Sequence, residues 1–375
     1  MPLQPKKAIS RLESCSHGGF NYEELRTLAV NADEITDFSV STNPFMPPPG
    51  IRESLSRAAI DRYPDSQATE LREKLASKLK VPAEKLLAGN GTTELIRLAA
   101  TTYFRRGDRV LIVGPTYGEY EPACKIAGAR TISYRAKEKD GFEPDIEEIT
   151  RLIGENNPRG VFLCNPNNPT GHYMGQREIN RMLDVLEDGL LVIDEAYVAF
   201  VEESWNSAEL TERDNVVILR SMTKDYGMPG LRLGYAVACR EIIDSLKRVI
   251  PPWNVNIAAQ TIGTAVLDKD EYLRQSLVQV REARRFLAEE IAKLGLKVMP
   301  SSGNYFIVKV GNGREFRERL LKKNMQVRDC ASFGLAEYVR IAPRTMPECY
   351  RLVEAIKRVI TKRDTPASGK GGKRL

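Results

Sequence analysis

Short runs of apolar residues alternate with amphipathic helical stretches between about residues 85 and 240. This alternation is typical of a mostly parallel sheet that is covered by helices on both faces. It predicts an α/β fold with a large domain over residues 51–256. The expected strands lie at residues 109–114, 131–135, 161–164, 190–194, 216–220 and 234–238.

The pattern changes after residue 256. A continuous helical stretch over residues 257–294 predicts a long helix that bridges to a second domain. Strand patterns at residues 305–310, 326–328 and 338–341, followed by a helix over 347–361, predict that this second domain is a small α/β unit. Residues 362–375 are rich in glycine and lysine, which predicts a disordered basic tail.

The chain has 375 residues, of which 42% are hydrophobic and 28% charged, so it can bury a large core. Its net charge of +6 is concentrated in the tail and around Lys6, Lys7 and Arg11. Because the rest is close to neutral, we expect no nucleic-acid partner. We also expect no membrane partner, because the chain lacks a bilayer-spanning apolar stretch and a signal-peptide core.

Six cysteines stand singly at positions 15, 124, 164, 239, 330 and 349, without a Cys-x-x-Cys motif. This usage is typical of a reduced, cytoplasmic protein. The two histidines lack the spacing of metal ligands, so we expect no metal site.

The most informative segment surrounds Lys224. Ser221 and Thr223 precede this lysine, and Arg232 follows it by eight positions. This combination suits a phosphorylated aldehyde, because the amine can form a Schiff base while the hydroxyl and guanidinium groups hold the phosphate.

Three earlier segments each place polar residues after an apolar strand. Asp194 closes one run, with Tyr197 three residues later, and Asn168 lies in a proline-bounded turn after another. Gly91 and Thr92 open a helix after the third, where unpaired backbone N–H groups bind anions. Because ligands bind beyond the carboxyl ends of parallel strands, we expect Asp194 to point into a binding crevice.

Taken in this order, the segments resemble the fold type I pyridoxal-phosphate enzymes of the aminotransferase class I/II family, over about residues 16–360. The resemblance implies the PLP-dependent transferase fold of type I, the cofactor pyridoxal 5'-phosphate and a homodimer with shared active sites. It also implies that residues 1–50 cross the active-site mouth and join the small domain.

The resemblance assigns a role to each residue of the cofactor site. Lys224 matches the lysine that binds the cofactor covalently, and Asp194 matches the acid that keeps the pyridine nitrogen protonated. Tyr197 and Asn168 match donors to the phenolic oxygen of the ring, and Tyr117 matches the aromatic residue that stacks on it. The remaining matches are a phosphate cup of Gly91, Thr92, Ser221, Thr223 and Arg232, and a tyrosine, Tyr63, that reaches the phosphate of the neighbouring subunit's cofactor.

Several motifs resemble the threonine-phosphate decarboxylase branch of the family, among them Ser-His-Gly-Gly at 16–19 and the segments 37–44, 89–94, 252–256, 327–330 and 340–344. That branch decarboxylates O-phospho-L-threonine to (R)-1-amino-2-propanol phosphate for cobalamin biosynthesis. The resemblance implies that Arg340 grips the substrate carboxylate as a bidentate pair. The substrate contacts that we expect are His17, Gly18, Asn43, Asn168, Arg340 and Arg344.

A phosphorylated amino acid carries two anionic groups, which need separate binding sites. In addition to Arg340, the candidates for binding the second group are Arg344 and the backbone N–H groups around His17. The alternative is a histidinol-phosphate aminotransferase that exchanges an amino group with 2-oxoglutarate, because this relative shares the cofactor residues. A third hypothesis is a pyridoxal-binding regulator without turnover, which needs a DNA-binding module that we do not expect here.

Overall fold

The computed structural model describes residues 3–5, 8–10, 12, 15–45 and 47–361, so Lys6, Lys7, Arg11 and the predicted tail at 362–375 lie outside the described residues. The strands of the described residues are β1 (Thr36–Asp37), β2 (Leu86–Gly89), β3 (Arg109–Gly114), β4 (Arg130–Arg135), β5 (Gly160–Cys164), β6 (Leu190–Asp194), β7 (Val216–Ser221), β8 (Gly234–Ala238), β9 (Lys297–Val298), β10 (Phe306–Lys309), β11 (Met325–Gln326), β12 (Arg328–Asp329) and β13 (Tyr338–Ile341). The α-helices are α1 (Tyr22–Thr27), α2 (Ile51–Leu55), α3 (Thr69–Leu79), α4 (Thr92–Tyr103), α5 (Tyr120–Ala127), α6 (Ile146–Asn156), α7 (Gln176–Leu186), α8 (Met222–Asp225), α9 (Arg240–Lys247), α10 (Ile257–Val266), α11 (Asp270–Lys293), α12 (Gly313–Leu321) and α13 (Met346–Thr361).

The central sheet of the described residues has seven strands in the order β2-β8-β7-β6-β5-β3-β4. The strands from β3 to β7 pair in parallel, whereas β8 is antiparallel to both of its neighbours. Leu111 and Val113 belong to the core on one face, and Val110 and Ile112 belong to the core on the other. Alternate side chains of a strand point to opposite faces of the sheet. A continuous apolar run therefore fits a sheet that packs against other elements on both faces. The predicted fold class is confirmed.

A smaller sheet, β12-β13-β10-β9, is antiparallel throughout. Its core includes Phe306 and Val339, which pack with buried residues of α11 and α13. Strand β1, from the N-terminal part of the chain, pairs in parallel with β11 beside this sheet. The exact division of the chain into domains remains a prediction.

Two predicted elements differ in the structure. The helical stretch 257–294 is interrupted between α10 and α11, where Asp270 and Glu271 lie in the first turn of α11. Acidic side chains in the first turn of a helix interact favourably with the positive end of the helix dipole. These two residues therefore favour a new helix that begins at residue 270. The predicted strand 326–328 is divided, since β11 pairs with β1 while β12 pairs with β13.

None of the helices within the described residues combines the length and apolar character needed to cross a membrane. The six cysteines form no disulfide. No group of three or more histidine, cysteine or acidic side chains is arranged to hold a metal ion in the described part of the chain.

Candidate active site

A cavity of about 800 Å³ opens beyond the carboxyl ends of β5, β6 and β7. The topology explains its position, because adjacent parallel strands bring their terminal residues to one edge of the sheet. Most of the predicted site residues line this cavity. They are His17, Gly18, Gly91, Thr92, Tyr117, Asn168, Asp194, Tyr197, Ser221, Thr223, Lys224, Arg232 and Arg340.

Lys224 lies on α8, the single-turn helix that directly follows β7. Its Nζ atom is 5.7 Å from the centre of the Tyr197 ring. Burial, followed by the positive charges of Arg340 and Arg232, lowers the pKa of the amine to about 8. A substantial fraction of the lysine is therefore neutral near physiological pH, as a nucleophilic or proton-accepting amine must be.

Asp194 is the last residue of β6 and is buried. Its carboxylate accepts hydrogen bonds from the Tyr120 hydroxyl at 2.9 Å and from the Ala196 backbone N–H at 3.1 Å. Burial raises the pKa of the carboxyl group to about 6, because these hydrogen bonds compensate only part of the desolvation. A positively charged group placed in the cavity beside Asp194 would stabilise its ionised form.

A second part of the cavity lining has the groups that suit an anion. Helix α4 begins after Gly91 without a side-chain cap, so its first backbone N–H groups are available. A Cβ atom on Gly91 would lie 2.7 Å from Nη2 of Arg232, and the glycine has a φ of +76°. Glycine therefore permits the guanidinium group to approach the helix N-terminus. Thr223 also lines this region, although its hydroxyl already donates to the Leu233 carbonyl at 3.2 Å.

Arg340 and Asn168 contact each other in the cavity lining. One guanidinium nitrogen of Arg340 donates to the side-chain oxygen of Asn168, and another donates to the Ser39 carbonyl at 2.7 Å. The Nε atom of Arg340 is buried and has no hydrogen-bond partner within the described residues. The guanidinium group of Arg340 as a whole lines the cavity. Tyr117, half-buried, contacts Thr93 through hydroxyl oxygens 3.2 Å apart.

The N-terminal segment crosses the cavity mouth at His17 and Gly18. Nε2 of His17 lies 3.0 Å from Oε1 of Glu119, which fastens the segment to the start of α5. A Cβ atom on Gly18 would lie 2.5 Å from the Ser39 backbone oxygen. Any larger residue at this position would force the segment away from the cavity.

The structure places three predicted site residues outside the cavity. The side-chain amide of Asn43 donates to the Asp225 carbonyl and to the Ser276 hydroxyl, and its role as a substrate contact stays a prediction. Arg344, which precedes α13, forms an ion pair at 3.0 Å with Glu348 in the first turn of that helix. Its role as a substrate contact likewise stays a prediction. The remaining residue, Tyr63, is 74% exposed and stacks on Trp253.

Sequence reasoning missed two residues of the site. Tyr120 supports Asp194 from the first position of α5, and no local pattern signals this contact because the two residues are 74 positions apart. Arg328, for which the sequence suggested no role, is buried and lines the cavity with Arg340. Antiparallel pairing of β12 with β13 sets these two arginines opposite each other.

These groups fit pyridoxal 5'-phosphate. The amine of Lys224 suits its aldehyde, the uncompensated carboxylate of Asp194 suits its ring nitrogen, and the start of α4 with Arg232 suits its phosphate. The individual contacts remain proposals.

Comparisons with known proteins identify the family. The family model for aminotransferase class I and II matches residues 33–356. A histidinol-phosphate aminotransferase from Moorella thermoacetica is 35% identical, over 90% of this chain and 88% of its own. Among solved structures, the histidinol-phosphate aminotransferase from Clostridium acetobutylicum is 27% identical with a TM-score of 0.79, over 87% of this chain and 99% of its own.

A second solved structure is similar to the same degree. It is the L-threonine-O-3-phosphate decarboxylase from Porphyromonas gingivalis, 28% identical with a TM-score of 0.77, over 86% of this chain and 99% of its own. The match of the family model spans most of the described residues. The chain therefore belongs to the aminotransferase class I and II family, and its cofactor is pyridoxal 5'-phosphate.

Proposed function

We propose that the protein is a lyase that decarboxylates O-phospho-L-threonine to (R)-1-amino-2-propanol phosphate, for cobalamin biosynthesis. The observation that carries this proposal is the pair of buried arginines, Arg328 and Arg340, in addition to Arg232 near the start of α4. A substrate with both a carboxylate and a phosphate has two anionic groups, which Arg328 and Arg340 can bind.

The surroundings of Arg328 support an anionic ligand. Its guanidinium donates to Ser16 and Ser332, and the nearest carboxylate oxygen, on Asp329, is 3.6 Å away. Burial lowers the pKa of Arg328, which indicates that its positive charge is incompletely compensated. By this proposal the substrate phosphate binds at Arg328, next to Ser16 of the N-terminal segment.

The bound cofactor supplies an electron sink for the bond that breaks at the substrate Cα. By this proposal the Arg340 guanidinium group orients the carboxylate, and Asp194 pairs with a positive charge in the same cavity. When the carboxylate leaves as carbon dioxide, its bonding electrons remain at Cα. Lys224 in its protonated form then donates a proton to that carbon, which replaces the lost group.

A second candidate is a histidinol-phosphate aminotransferase, and the names of the relatives favour it. Histidinol phosphate carries a phosphate but no carboxylate. The amino-group acceptor 2-oxoglutarate has two carboxylates, so Arg328 and Arg340 suit this reaction as well. In that case Lys224 in its neutral form removes the proton from Cα.

We also propose that the protein is a homodimer with shared active sites. Tyr63 and Trp253 support this, because both are exposed and their rings stack 4.3 Å apart on the surface. An exposed aromatic pair is suited to burial against another protein surface. By this proposal Tyr63 contacts the cofactor phosphate of a second subunit.

Product analysis of the holoenzyme separates the two reactions. We expect carbon dioxide and a phosphorylated amino alcohol from O-phospho-L-threonine without an added oxo acid. Glutamate formation from histidinol phosphate and 2-oxoglutarate, with no carbon dioxide from O-phospho-L-threonine, would replace the lyase by the aminotransferase.

A further inference from the structure

Tyr305 is a buried residue to which the site described above gives no role. It directly precedes β10, and its side chain is fully buried. The Cζ atom of Arg340, which lines the cavity, lies 5.2 Å from the centre of the Tyr305 ring. A guanidinium group within about 6 Å of an aromatic ring is attracted by the negative face of that ring. Tyr305 is therefore a direct neighbour of the arginine that we propose binds the substrate carboxylate.

Arg340 carries its positive charge without an acidic partner. Its guanidinium group donates to the neutral acceptors of Asn168 and Ser39, and no carboxylate of the described residues forms an ion pair with it. Arg328 lies opposite Arg340 in the pairing of β12 with β13 and adds a second positive charge. A buried charge is costly unless other groups stabilise it, and the Tyr305 ring is one such group. Burial raises the pKa of the Tyr305 phenol, so the ring stays neutral and leaves the charge of Arg340 for an anionic ligand.

The Tyr305 hydroxyl contacts the turn that carries the hydrogen-bond partner of Arg340. It donates to the Asn167 backbone carbonyl at 3.0 Å, and Asn167 directly precedes Asn168. The Asn167 carbonyl also accepts from the Gly171 backbone N–H at 2.6 Å, so it keeps a partner if the hydroxyl is removed. One side chain thus contacts both Arg340 and the turn of Asn168.

The same ring packs against Tyr197, a predicted cofactor contact. The ring centres of Tyr305 and Tyr197 are 4.9 Å apart and the rings meet edge to face. Tyr197 in turn lies 5.7 Å from Nζ of Lys224, measured from its ring centre. A change at Tyr305 can therefore reach the cofactor site, so cofactor binding has to be measured separately.

We propose that Tyr305 is a positioning residue for the substrate carboxylate, because its ring holds the guanidinium group of Arg340 at the cavity and leaves its charge to the ligand. The inference rests on the proposed function in one respect, which is that Arg340 binds a carboxylate. Both candidate reactions supply a ligand with a carboxylate and a phosphorylated ligand without one. These are O-phospho-L-threonine and (R)-1-amino-2-propanol phosphate for the lyase, and glutamate and histidinol phosphate for the aminotransferase.

The test compares the two ligands of a pair by steady-state kinetics of the holoenzyme, as KM for a substrate and as an inhibition constant for a product. Tyr305→Leu removes the ring, and we expect the constant of the carboxylate-bearing ligand to rise about threefold to tenfold. The physical reason is that the guanidinium group can turn into the space left by the ring and must be ordered again when the ligand binds. The constant of the ligand without a carboxylate should stay unchanged. Tyr305→Phe keeps the ring and should leave both constants unchanged.

The matched control is Tyr338→Leu. Tyr338 is also buried, and its ring lies 5.8 Å from Nζ of Lys309, but it does not belong to the cavity lining. This variant removes a buried tyrosine ring beside a cation in the same sheet. It should leave the ratio of the two constants unchanged.

An unchanged ratio in folded, cofactor-bound Tyr305→Leu would overturn the inference, and so would an equal rise of both constants, which is the result of a purely structural role. The same change in Tyr305→Phe as in Tyr305→Leu would also overturn it, because the ring would then not be the cause. Should Tyr305→Leu fail to fold or to bind the cofactor, Tyr305→Met replaces it, since methionine fills much of the space without a ring. If the protein is an aminotransferase, the second ligand pair is used, so a failure of the lyase proposal is distinguishable from a failure of this inference.

Discussion

Tyr120 donates its hydroxyl hydrogen to Oδ2 of Asp194 across 2.9 Å, at the base of the cavity. The tyrosine is fully buried, and its ring stacks on Phe162 with centres 4.9 Å apart. This contact links the first turn of α5 to the end of β6. It stabilises the ionised carboxylate, which we propose pairs with the cofactor's ring nitrogen.

Tyr120→Phe removes this hydrogen bond and keeps the ring. We expect cofactor affinity to fall about tenfold or more, because a hydrogen bond to a charged group contributes about 1.5–3 kcal/mol. Equilibrium dialysis with pyridoxal 5'-phosphate measures the change. Tyr22→Phe is the control, since Tyr22 is exposed on α1, and equal affinities in the two variants would contradict the role of Tyr120.

Lys224→Ala should abolish both the visible absorbance of the bound cofactor and its trapping by borohydride. The physical reason is that the amine supplies the nitrogen of the covalent link. Lys293→Ala, at an exposed position of α11, should retain both signals. A borohydride-stable adduct in Lys224→Ala would refute the assignment of the lysine.

Arg328→Gln should weaken a phosphorylated substrate by about 2–5 kcal/mol, since it removes one partner of a buried charge pair. This corresponds to about a 30-fold or larger rise in KM. Arg344→Gln is the matched control, because Arg344 lies outside the cavity and pairs with Glu348. Steady-state kinetics with O-phospho-L-threonine, and separately with histidinol phosphate, measures both. A larger rise in KM for Arg344→Gln than for Arg328→Gln would show that Arg344, rather than Arg328, contacts the substrate.

Gly18→Ala should raise KM and leave cofactor binding unchanged. The added Cβ atom would meet the Ser39 backbone oxygen at 2.5 Å, so the N-terminal segment must move away from the cavity mouth. Gly154→Ala is the control, because its nearest neighbour would be 3.6 Å away in the interior of α6. That helical position should gain about 0.5–1 kcal/mol of stability. Equal kinetics in both variants would show that the segment does not contribute to substrate binding.

Cofactor binding should weaken as the pH falls through about 6. The pKa of Asp194 is raised to about 6 in the cofactor-free site, so below that pH the carboxyl group is protonated and cannot pair with a cationic ring nitrogen. Above it the carboxylate is ionised and the pair forms. Binding of pyridoxamine 5'-phosphate, which forms no covalent link, isolates this contribution. In Asp194→Asn, the binding of pyridoxamine 5'-phosphate should no longer weaken as the pH falls through about 6. The same pH profile in the variant and in the unmodified protein would contradict this prediction.

The sequence alone determined the parallel sheet and the residues at its strand ends. The apolar runs end at Cys164 and Asp194, and the structure ends β5 and β6 at the same residues. Side-chain alternation and turn residues are local properties, so a single chain displays them directly. Parallel pairing then brings the residues that follow these strands to one edge of the sheet.

Tertiary structure alone decided which neighbouring polar residues face the cavity. Asn43 and Arg344 lie in motifs next to true cavity residues, yet one anchors α8 and the other pairs with Glu348. Arg340 reaches Asn168 across 172 positions of sequence. Such contacts depend on how separate sheets and the N-terminal segment pack, and no local periodicity records that packing.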